Sequence, residues 1–357
     1  MKKKLLFLAV VLSIAFVSCK KDKSDPTPPA SPYKGVFVLN EGTFTYANSS
    51  LSFYDPVADT AANNLFFRVN HAPIGDVGQS LAKYNGSLYI VVNNSKYIYK
   101  INANTLLYQA KLEGFNSPRY MLTVGNDKAY VSDLERTGIW VVDLSDFSHK
   151  KFIETGNTTE AMVKVGNEVF VTNWSNYYTS GETSNKTVQV IDCQNDELVD
   201  KIEVAQEPNS MVVDKYNHIW VLCSGSYEGV QDPALICIDP ATKTVIKRFD
   251  FTPGMDYPSG LAVDKAGQNI YFMNGGYGTL NVYKMSVEAE QVPETPFIVS
   301  ESKVFYSIKV DPTNDEVYIS NAKNYVMNGD VERYSASGEF ISKFEAGIIP
   351  SYMLFNY

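Results

Sequence analysis

Short apolar runs alternate with polar turns between residues 118 and 143, and this pattern recurs through the chain. The runs are Tyr120–Val124, Ala129–Val131 and Ile139–Val142, separated by residues of the Gly, Asn and Asp type. Such spacing predicts three antiparallel strands joined by turns. A more polar stretch, Lys150–Glu154, predicts a fourth strand at the outer edge of the same sheet.

Copies of this unit are found by aligning the apolar residue near the start of each first strand. The spacing of the copies runs from 40 residues (Met121 minus Leu81) to 50 residues (Leu261 minus Met211). A repeat of this length with four strands, graded from apolar to polar, predicts one blade of a β-propeller. The aligned residues are Leu81, Met121, Met162, Met211, Leu261, Ile308 and Met353.

The two ends of the chain complete one another. Pro350–Phe355 has the pattern of a first strand, whereas Gly35–Asn40 and Leu51–Asp55 have the pattern of second and third strands with no first strand before them. We therefore predict an all-β fold over residues 34–357, a seven-bladed β-propeller of four-stranded antiparallel blades. The N- and C-terminal strands share one blade, which removes exposed sheet edges.

The first 33 residues predict export and attachment. Residues 1–18 contain three lysines followed by an apolar run, which is typical of a signal peptide and not of a membrane span. Cys19 follows the small residue Ser18 and resembles the lipidated cysteine of a bacterial lipobox. The polar, proline-rich remainder of 19–33 predicts a flexible tether. Ordinary secretion with a chance cysteine is the alternative.

Charge and cysteine content narrow the possible partners and the redox chemistry. The 357-residue chain has a formal net charge of −9 and no cluster of basic residues after the export segment, so nucleic acid is not a predicted partner. The cysteines after the tether are odd in number, namely Cys193, Cys223 and Cys237. Cys223 and Cys237 fall inside strands of one blade and are predicted to be buried free thiols. A disulfide between Cys223 and Cys237 is the alternative in an oxidising compartment.

One face of a propeller carries the connections from second to third strands and from each outer strand to the next inner strand. We call it the loop face, and we call the opposite side the turn face. Amide, charged and aromatic residues predicted to lie on the loop face suit a large, flat, partly apolar ligand. They are Asn40, Phe44, Gln79, Asn93, Arg119, Asp133, Glu160, Asn173, Trp174, Asn209, Tyr227, Asn274, Tyr277, Tyr306, Asn321 and Tyr325.

Some of these residues have an equally simple structural interpretation. An asparagine at a strand end commonly bonds to nearby backbone, and for each asparagine taken singly this role is favoured over ligand binding. Arg119 and Glu160 fall on adjacent blades, so a structural salt bridge between them is an alternative to ligand contact.

Recognisable catalytic motifs are missing from the sequence. It contains no nucleophile elbow, zinc motif or phosphate loop, and of its three histidines only His71 is predicted on the loop face. We therefore predict a binding protein and not an enzyme, with no metal ligands and no cofactor. A metal-dependent propeller lyase that uses His71 is the alternative.

Several motifs are typical of one family of propellers. They are Val38-Leu-Asn-Glu-Gly42, Ser50-Leu-Ser-Phe-Tyr-Asp55, Ile74-Gly-Asp76, Tyr89-Ile-Val-Val-Asn-Asn-Ser95, Pro118-Arg-Tyr-Met121, Phe170-Val-Thr-Asn173 and Val188-Gln-Val-Ile-Asp192. With them the chain resembles YVTN-type (YncE-like) seven-bladed propellers, and within these a Bacteroidetes lipoprotein family that includes BtuG-type cobalamin-binding surface proteins.

The resemblance implies a function and a location. The expected protein is an outer-membrane lipoprotein that captures cobalamin or another corrinoid on the loop face and delivers it to a TonB-dependent transporter. Display at the cell surface is expected, with the periplasmic face as the alternative. A glycan, peptide or protein ligand is also compatible, because the shared motifs are mostly strands and turns, which specify fold more than function.

Overall fold

The computed structural model describes residues 32–174, 185–225, 233–252, 257–276 and 279–357. In these ranges the chain forms strands and one short helix, as follows: β1 Gly35–Asn40, β2 Ser50–Asp55, β3 Thr60–Ala62, α1 Leu65–Asn70, β4 Gly78–Tyr84, β5 Ser87–Val92, β6 Tyr97–Asn102, β7 Tyr108–Glu113, β8 Pro118–Gly125, β9 Lys128–Asp133, β10 Gly138–Asp143, β11 Ser148–Glu154, β12 Met162–Val165, β13 Glu168–Thr172, β14 Thr187–Asp192, β15 Glu197–Glu203, β16 Pro208–Val213, β17 Ile219–Cys223, β18 Ala234–Asp239, β19 Thr244–Asp250, β20 Ser259–Val263, β21 Asn269–Asn274, β22 Asn281–Ser286, β23 Phe305–Val310, β24 Val317–Asn321, β25 Asn328–Tyr334, β26 Phe340–Ile348 and β27 Pro350–Asn356.

The strands form seven antiparallel sheets, which confirms the predicted propeller. Blades 1 to 4 are β4–β7, β8–β11, β12–β15 and β16–β19, and blade 6 is β23–β26. Blade 5 consists of β20, β21 and β22, and a single bridge between Val282 and Ile298 stands at the position of its fourth strand.

Blade 7 is built from both ends of the chain, as predicted. Its strand order is β27-β1-β2-β3, and β1 pairs with β27 from Gly35 opposite Asn356 to Asn40 opposite Pro350. All six residues of β1 are buried. The C-terminal strand therefore covers a strand that would otherwise be an open, apolar edge.

The core lies between neighbouring blades. Side chains alternate across a strand with a period of two, so each second strand buries one set of residues against the preceding blade and the other set against the next. In β5, Leu88 and Ile90 pack in one apolar cluster, and Tyr89 and Val91 pack in another that includes Met121 of blade 2. Because both faces need a neighbour, one blade cannot bury its apolar surface alone.

Cys223 and Cys237 are buried free thiols, as predicted, and Cys193 is buried and free as well. Residues 1–31, with the predicted signal peptide, Cys19 and most of the tether, lie outside the described residues. Within the ranges that the structure describes, no helix has the length and apolar character needed to cross a membrane.

Candidate functional site

Bulges at the start of the inner strands position side chains at the loop-face mouth of the central channel. The pairing of first and second strands slips between Gly78 and Ser80, Pro118 and Met121, Pro208 and Ser210, Ser259 and Leu261, and Phe305 and Ile308. A bulge leaves a residue outside the ladder and re-aims its side chain. The displaced residues include the predicted site residues Gln79, Arg119, Asn209 and Tyr306.

A charged network joins three blades at this mouth. The Arg119 guanidinium donates from Nε to Glu160 Oε2 at 2.7 Å and from Nη2 to Glu160 Oε1 at 2.8 Å. Its Nη1 donates to Gln79 Oε1 at 2.7 Å. The guanidinium carbon also lies 5.5 Å from the centre of the Trp174 ring. The salt bridge expected as the structural alternative is therefore present, and it holds four predicted site residues together.

A second group forms around Glu41, a residue that the sequence analysis did not select. Tyr306 Oη lies 3.0 Å from each carboxylate oxygen of Glu41. The Tyr306 ring stands edge-on to that of Tyr325, with 6.2 Å between ring centres. Burial raises the pKa of the Glu41 carboxyl from its ordinary 4.5 to about 7, against the opposing effects of the Tyr306 hydrogen bond and the Arg119 charge. The mouth thus contains a carboxyl group that ionises near neutral pH.

Replacing Glu41 with Gln is expected to flatten the dependence of stability on pH. Between pH 4.5 and about 7 the folded protein retains a proton on Glu41 that the unfolded chain has released. The contribution of Glu41 to the free energy of unfolding is therefore greatest below pH 4.5, and it is lost as the pH rises to about 7. The loss is at most about 3 kcal/mol. Urea unfolding across this window measures it.

The control for this experiment is Glu290→Gln, because the Glu290 side chain is 92% exposed. That variant is expected to keep the pH slope of the parent protein. An equal slope in the parent and in Glu41→Gln would contradict a proton on Glu41 in the folded state.

Below the mouth, the channel is lined by aromatic residues that the sequence analysis did not select either. The rings of Tyr120 and Tyr352 lie 6.3 Å apart, and Lys309 Nζ lies 5.1 Å from the centre of the Tyr352 ring. Burial raises the pKa of Tyr120 above its usual range, so this phenol stays neutral at physiological pH. Two tyrosine rings and a lysine ammonium therefore meet on the inner strands beneath the charged mouth.

The second-to-third-strand loops of the neighbouring blades 6 and 7 both present exposed apolar side chains on the loop face. Monomeric proteins rarely leave such side chains grouped on their surface unless they contact a ligand or partner. We call this group the apolar rim, and its members with their exposed fractions are Phe44 (64%), Tyr46 (73%), Tyr325 (45%), Val326 (59%) and Met327 (58%).

The backbone of both rim loops is held in place by hydrogen bonds. The Thr45 N–H lies 3.0 Å from both carboxylate oxygens of Asp76, and the Met327 N–H donates to Asn324 Oδ1 at 3.0 Å. Gly42 has a φ of 78°, and an added Cβ would lie 2.7 Å from the Ser49 nitrogen, so only glycine fits this turn. The apolar rim is therefore presented by ordered loops and not by free chain.

Five predicted site residues at strand ends bond within the protein. The Asn93 amide donates to Pro118 O at 3.1 Å, and Asp133 Oδ1 accepts the Ser117 N–H at 2.8 Å. All but Asn93 are buried, and their polar atoms bond to neighbouring strands and loops. For the four asparagines this geometry supports the structural alternative. The five are Asn40, Asn93, Asp133, Asn173 and Asn321.

The other predicted residues are distributed around the same face. Asn209 is half-buried and accepts a hydrogen bond from Ser210 Oγ at 2.9 Å. Asn274 is buried and lines a separate cleft of about 210 Å³ beside Phe251. Tyr227 and Tyr277 lie outside the described residues.

The sequence of this chain matches a known protein family over nearly the whole propeller. The family described as "Domain of unknown function (DUF5074)" matches residues 34–356. The chain belongs to this family. The match covers the whole propeller, from the first residues of blade 7 to the end of β27. A search of curated proteins found no match.

Solved structures share the fold of this DUF5074 chain at low sequence identity. A quinonprotein alcohol dehydrogenase-like protein from Bacteroides thetaiotaomicron VPI-5482 is 17% identical to this chain, with a TM-score of 0.70. The alignment covers 91% of this chain and 79% of that protein. A protein from Lactobacillus plantarum is 14% identical with a TM-score of 0.64 (91% and 100% covered). Hydrazine synthase from Kuenenia stuttgartiensis is 14% identical with a TM-score of 0.63 (77% and 88% covered). At these identities the likeness concerns the fold alone.

Proposed function

We propose that this protein is a cell-envelope binding protein that captures a broad, partly apolar ligand on its loop face. The observation that carries the proposal is the apolar rim, an exposed group of aromatic and aliphatic side chains beside a mouth lined by polar groups. Flat apolar ligands bind by stacking on such rings, while nearby polar groups fix their orientation.

For the ligand itself we propose cobalamin or a related corrinoid, which the protein passes to a TonB-dependent outer-membrane transporter. A corrin has a broad apolar face edged by amide side chains. Phe44 and Tyr325 would cover the ring, and half-buried polar groups such as Asn209 would meet its amides. Support for a corrinoid comes from the sequence motifs shared with cobalamin-binding lipoproteins. The apolar rim supports the broader proposal of a large flat ligand.

Calorimetry with cyanocobalamin and the chain lacking residues 1–18 tests the ligand. We expect saturable binding to the parent protein. Truncating Phe44 or Tyr325 to Ala should cost about 2 kcal/mol each, roughly thirtyfold in Kd, because each ring loses a buried contact. Tyr216→Ala is the matched control, since Tyr216 is 52% exposed in a turn on the turn face.

The experiment tests the identity of the ligand and the location of its binding site separately. Absence of heat with the parent protein at micromolar concentration would reject the corrinoid. Binding that survives truncation of both Phe44 and Tyr325 would place the ligand away from the apolar rim and reject the site.

Attachment to the envelope depends on Cys19. We propose that Cys19 is lipidated and that residues 20–33 tether the propeller to the outer membrane, with the cell surface as its location. Labelled fatty acid fed to the native host should appear in the parent protein and not in Cys19→Ser. Label that persists in Cys19→Ser would contradict lipidation at this residue.

A further inference from the structure

Three different metal-binding groups meet on the turn face of blade 4, away from the loop-face site. A carboxylate oxygen of Asp214, a ring nitrogen of His218 and the Cys237 sulfur lie within 4.8 Å of one another. The distance from His218 Nδ1 to Asp214 Oδ2 is 3.6 Å. The Asp214 side chain is 1% exposed and that of His218 is 31% exposed, so the group is buried on one side and open to solvent on the other.

The local fold fixes the direction of the Asp214 carboxylate. Asp214 follows β16, and its Oδ1 accepts the backbone N–H groups of Tyr216 at 2.8 Å and His218 at 2.9 Å. Its Oδ2 accepts the indole N–H of Trp220 at 2.9 Å. Cys237 is directly opposite Trp220 in the pairing of β17 with β18. The carboxylate, the imidazole and the thiol are thus held by three rigid segments of one blade.

The same turn in the next blade needs neither the histidine nor the cysteine. In blade 5, Asp264 has the place of Asp214, and Asn269 Nδ2 donates to Asp264 Oδ2 at 2.6 Å. Lys284 stands opposite Tyr271, where blade 4 has Cys237 opposite its tryptophan. An aspartate and an amide donor are therefore enough to form the turn, and blade 4 differs by adding an imidazole and a thiol beside the carboxylate.

We propose that Asp214, His218 and Cys237 bind a divalent metal ion of the zinc class. Zn²⁺ takes sulfur, imidazole nitrogen and carboxylate oxygen as ligands, and three protein ligands leave a fourth position for water. The Trp220 indole donates a hydrogen bond to the Asp214 carboxylate and would orient this ligand without contacting the metal itself. The exposed edge of His218 supplies the path by which an ion enters.

Binding exchanges one proton for the metal ion. Burial, with the Asp214 charge adding to it, raises the pKa of the Cys237 thiol to about 12, so the thiol is protonated in the metal-free protein. When M²⁺ binds, the S–H bond breaks, the sulfur keeps the electron pair and bonds the metal, and the proton leaves to solvent. No electron is transferred, and no other reactant is needed.

Cobalt is the probe that tests the site. The chain lacking residues 1–18, with reduced thiols and freed of metal by chelation, is titrated with Co²⁺. We expect one ion per chain, with a thiolate-to-cobalt charge-transfer band in the near ultraviolet and visible bands typical of four-coordinate Co²⁺. Added Zn²⁺ should displace the cobalt and raise the melting temperature of the parent protein.

Two variants and one control locate the ion. Cys237→Ala should lose the charge-transfer band, and His218→Ala should weaken Co²⁺ binding by at least about tenfold. Cys223→Ala is the control, because Cys223 is an equally buried thiol in the neighbouring strand β17 and is not one of the three proposed ligands. Metal-free urea unfolding confirms that each variant is folded.

Two results would overturn the proposal. One is the absence of a charge-transfer band in the parent protein at millimolar Co²⁺, which would leave Asp214 as a hydrogen-bonded turn residue only. The other is a band that persists in Cys237→Ala, which would assign the thiolate to another cysteine. Neither result bears on ligand capture at the loop face, which uses no residue of this group.

Discussion

Deletion of β27 is expected to abolish folding of the whole propeller. The deletion would leave β1 without its inner neighbour along all six paired positions. It would also remove Met353, which is 2% exposed and packs with Val38 and Tyr318 between blades 6 and 7. We expect a chain ending at Ile348 to lack the far-UV circular dichroism of the intact chain and to show no cooperative thermal transition.

The size of this effect follows from the contacts that are lost. Each net backbone hydrogen bond contributes about 1 kcal/mol, and a fully buried methionine adds about 1.5–3 kcal/mol. Summed over the paired positions, the loss is comparable to the free energy of unfolding of a typical domain, which is roughly 5–15 kcal/mol. Closure also couples the blades, because an open ring has two exposed edges.

Two comparisons make the deletion experiment decisive. A chain that lacks residues 1–31 but keeps β27 should fold and melt like the parent protein. A synthetic peptide with the sequence of residues 349–357, added to the deleted chain, should restore the spectrum by refilling the gap beside β1. If the deleted chain melts like the intact one, the C-terminal strand is not what closes the ring.

The sequence predicts the fold well because apolar periodicity is a local signal. Copies of one strand–turn pattern identify the blades, and the missing first strand before Gly35–Asn40 identifies the closure. Inner-strand positions such as Arg119 and Tyr306 are predicted to lie at the mouth for the same reason. They occupy equivalent places in repeats whose orientation toward the channel is common to all blades.

The details of the mouth depend on contacts that no local pattern encodes. Glu41 and Tyr306 are 265 residues apart in sequence and meet only because the ring closes. Asn40, one residue earlier, was predicted to face a ligand, but its Oδ1 accepts the Gly347 N–H at 2.9 Å across the same closure. Bulges in the inner strands also shift which residue points to the channel, and alternation alone does not reveal a bulge.

Replacing Arg119 with Met is expected to destabilise the protein by about 3–5 kcal/mol. The Glu160 side chain is 3% exposed, and Arg119 bonds both of its carboxylate oxygens at 2.7 and 2.8 Å. Without the guanidinium, the carboxylate is buried with no counter-charge, and Gln79 Oε1 loses the same donor. Urea unfolding at neutral pH measures the loss.

A double variant separates a structural salt bridge from an arginine reserved for a ligand. Adding Glu160→Met to Arg119→Met should recover at least about 2 kcal/mol, because a pair of apolar side chains replaces an unpaired buried charge. The remaining deficit, about 1–3 kcal/mol, belongs to Gln79. A penalty below about 1 kcal/mol for Arg119→Met, with no recovery in the double variant, would mean that the pair contributes little to the fold. Arg119 would then be free to serve a ligand at the mouth.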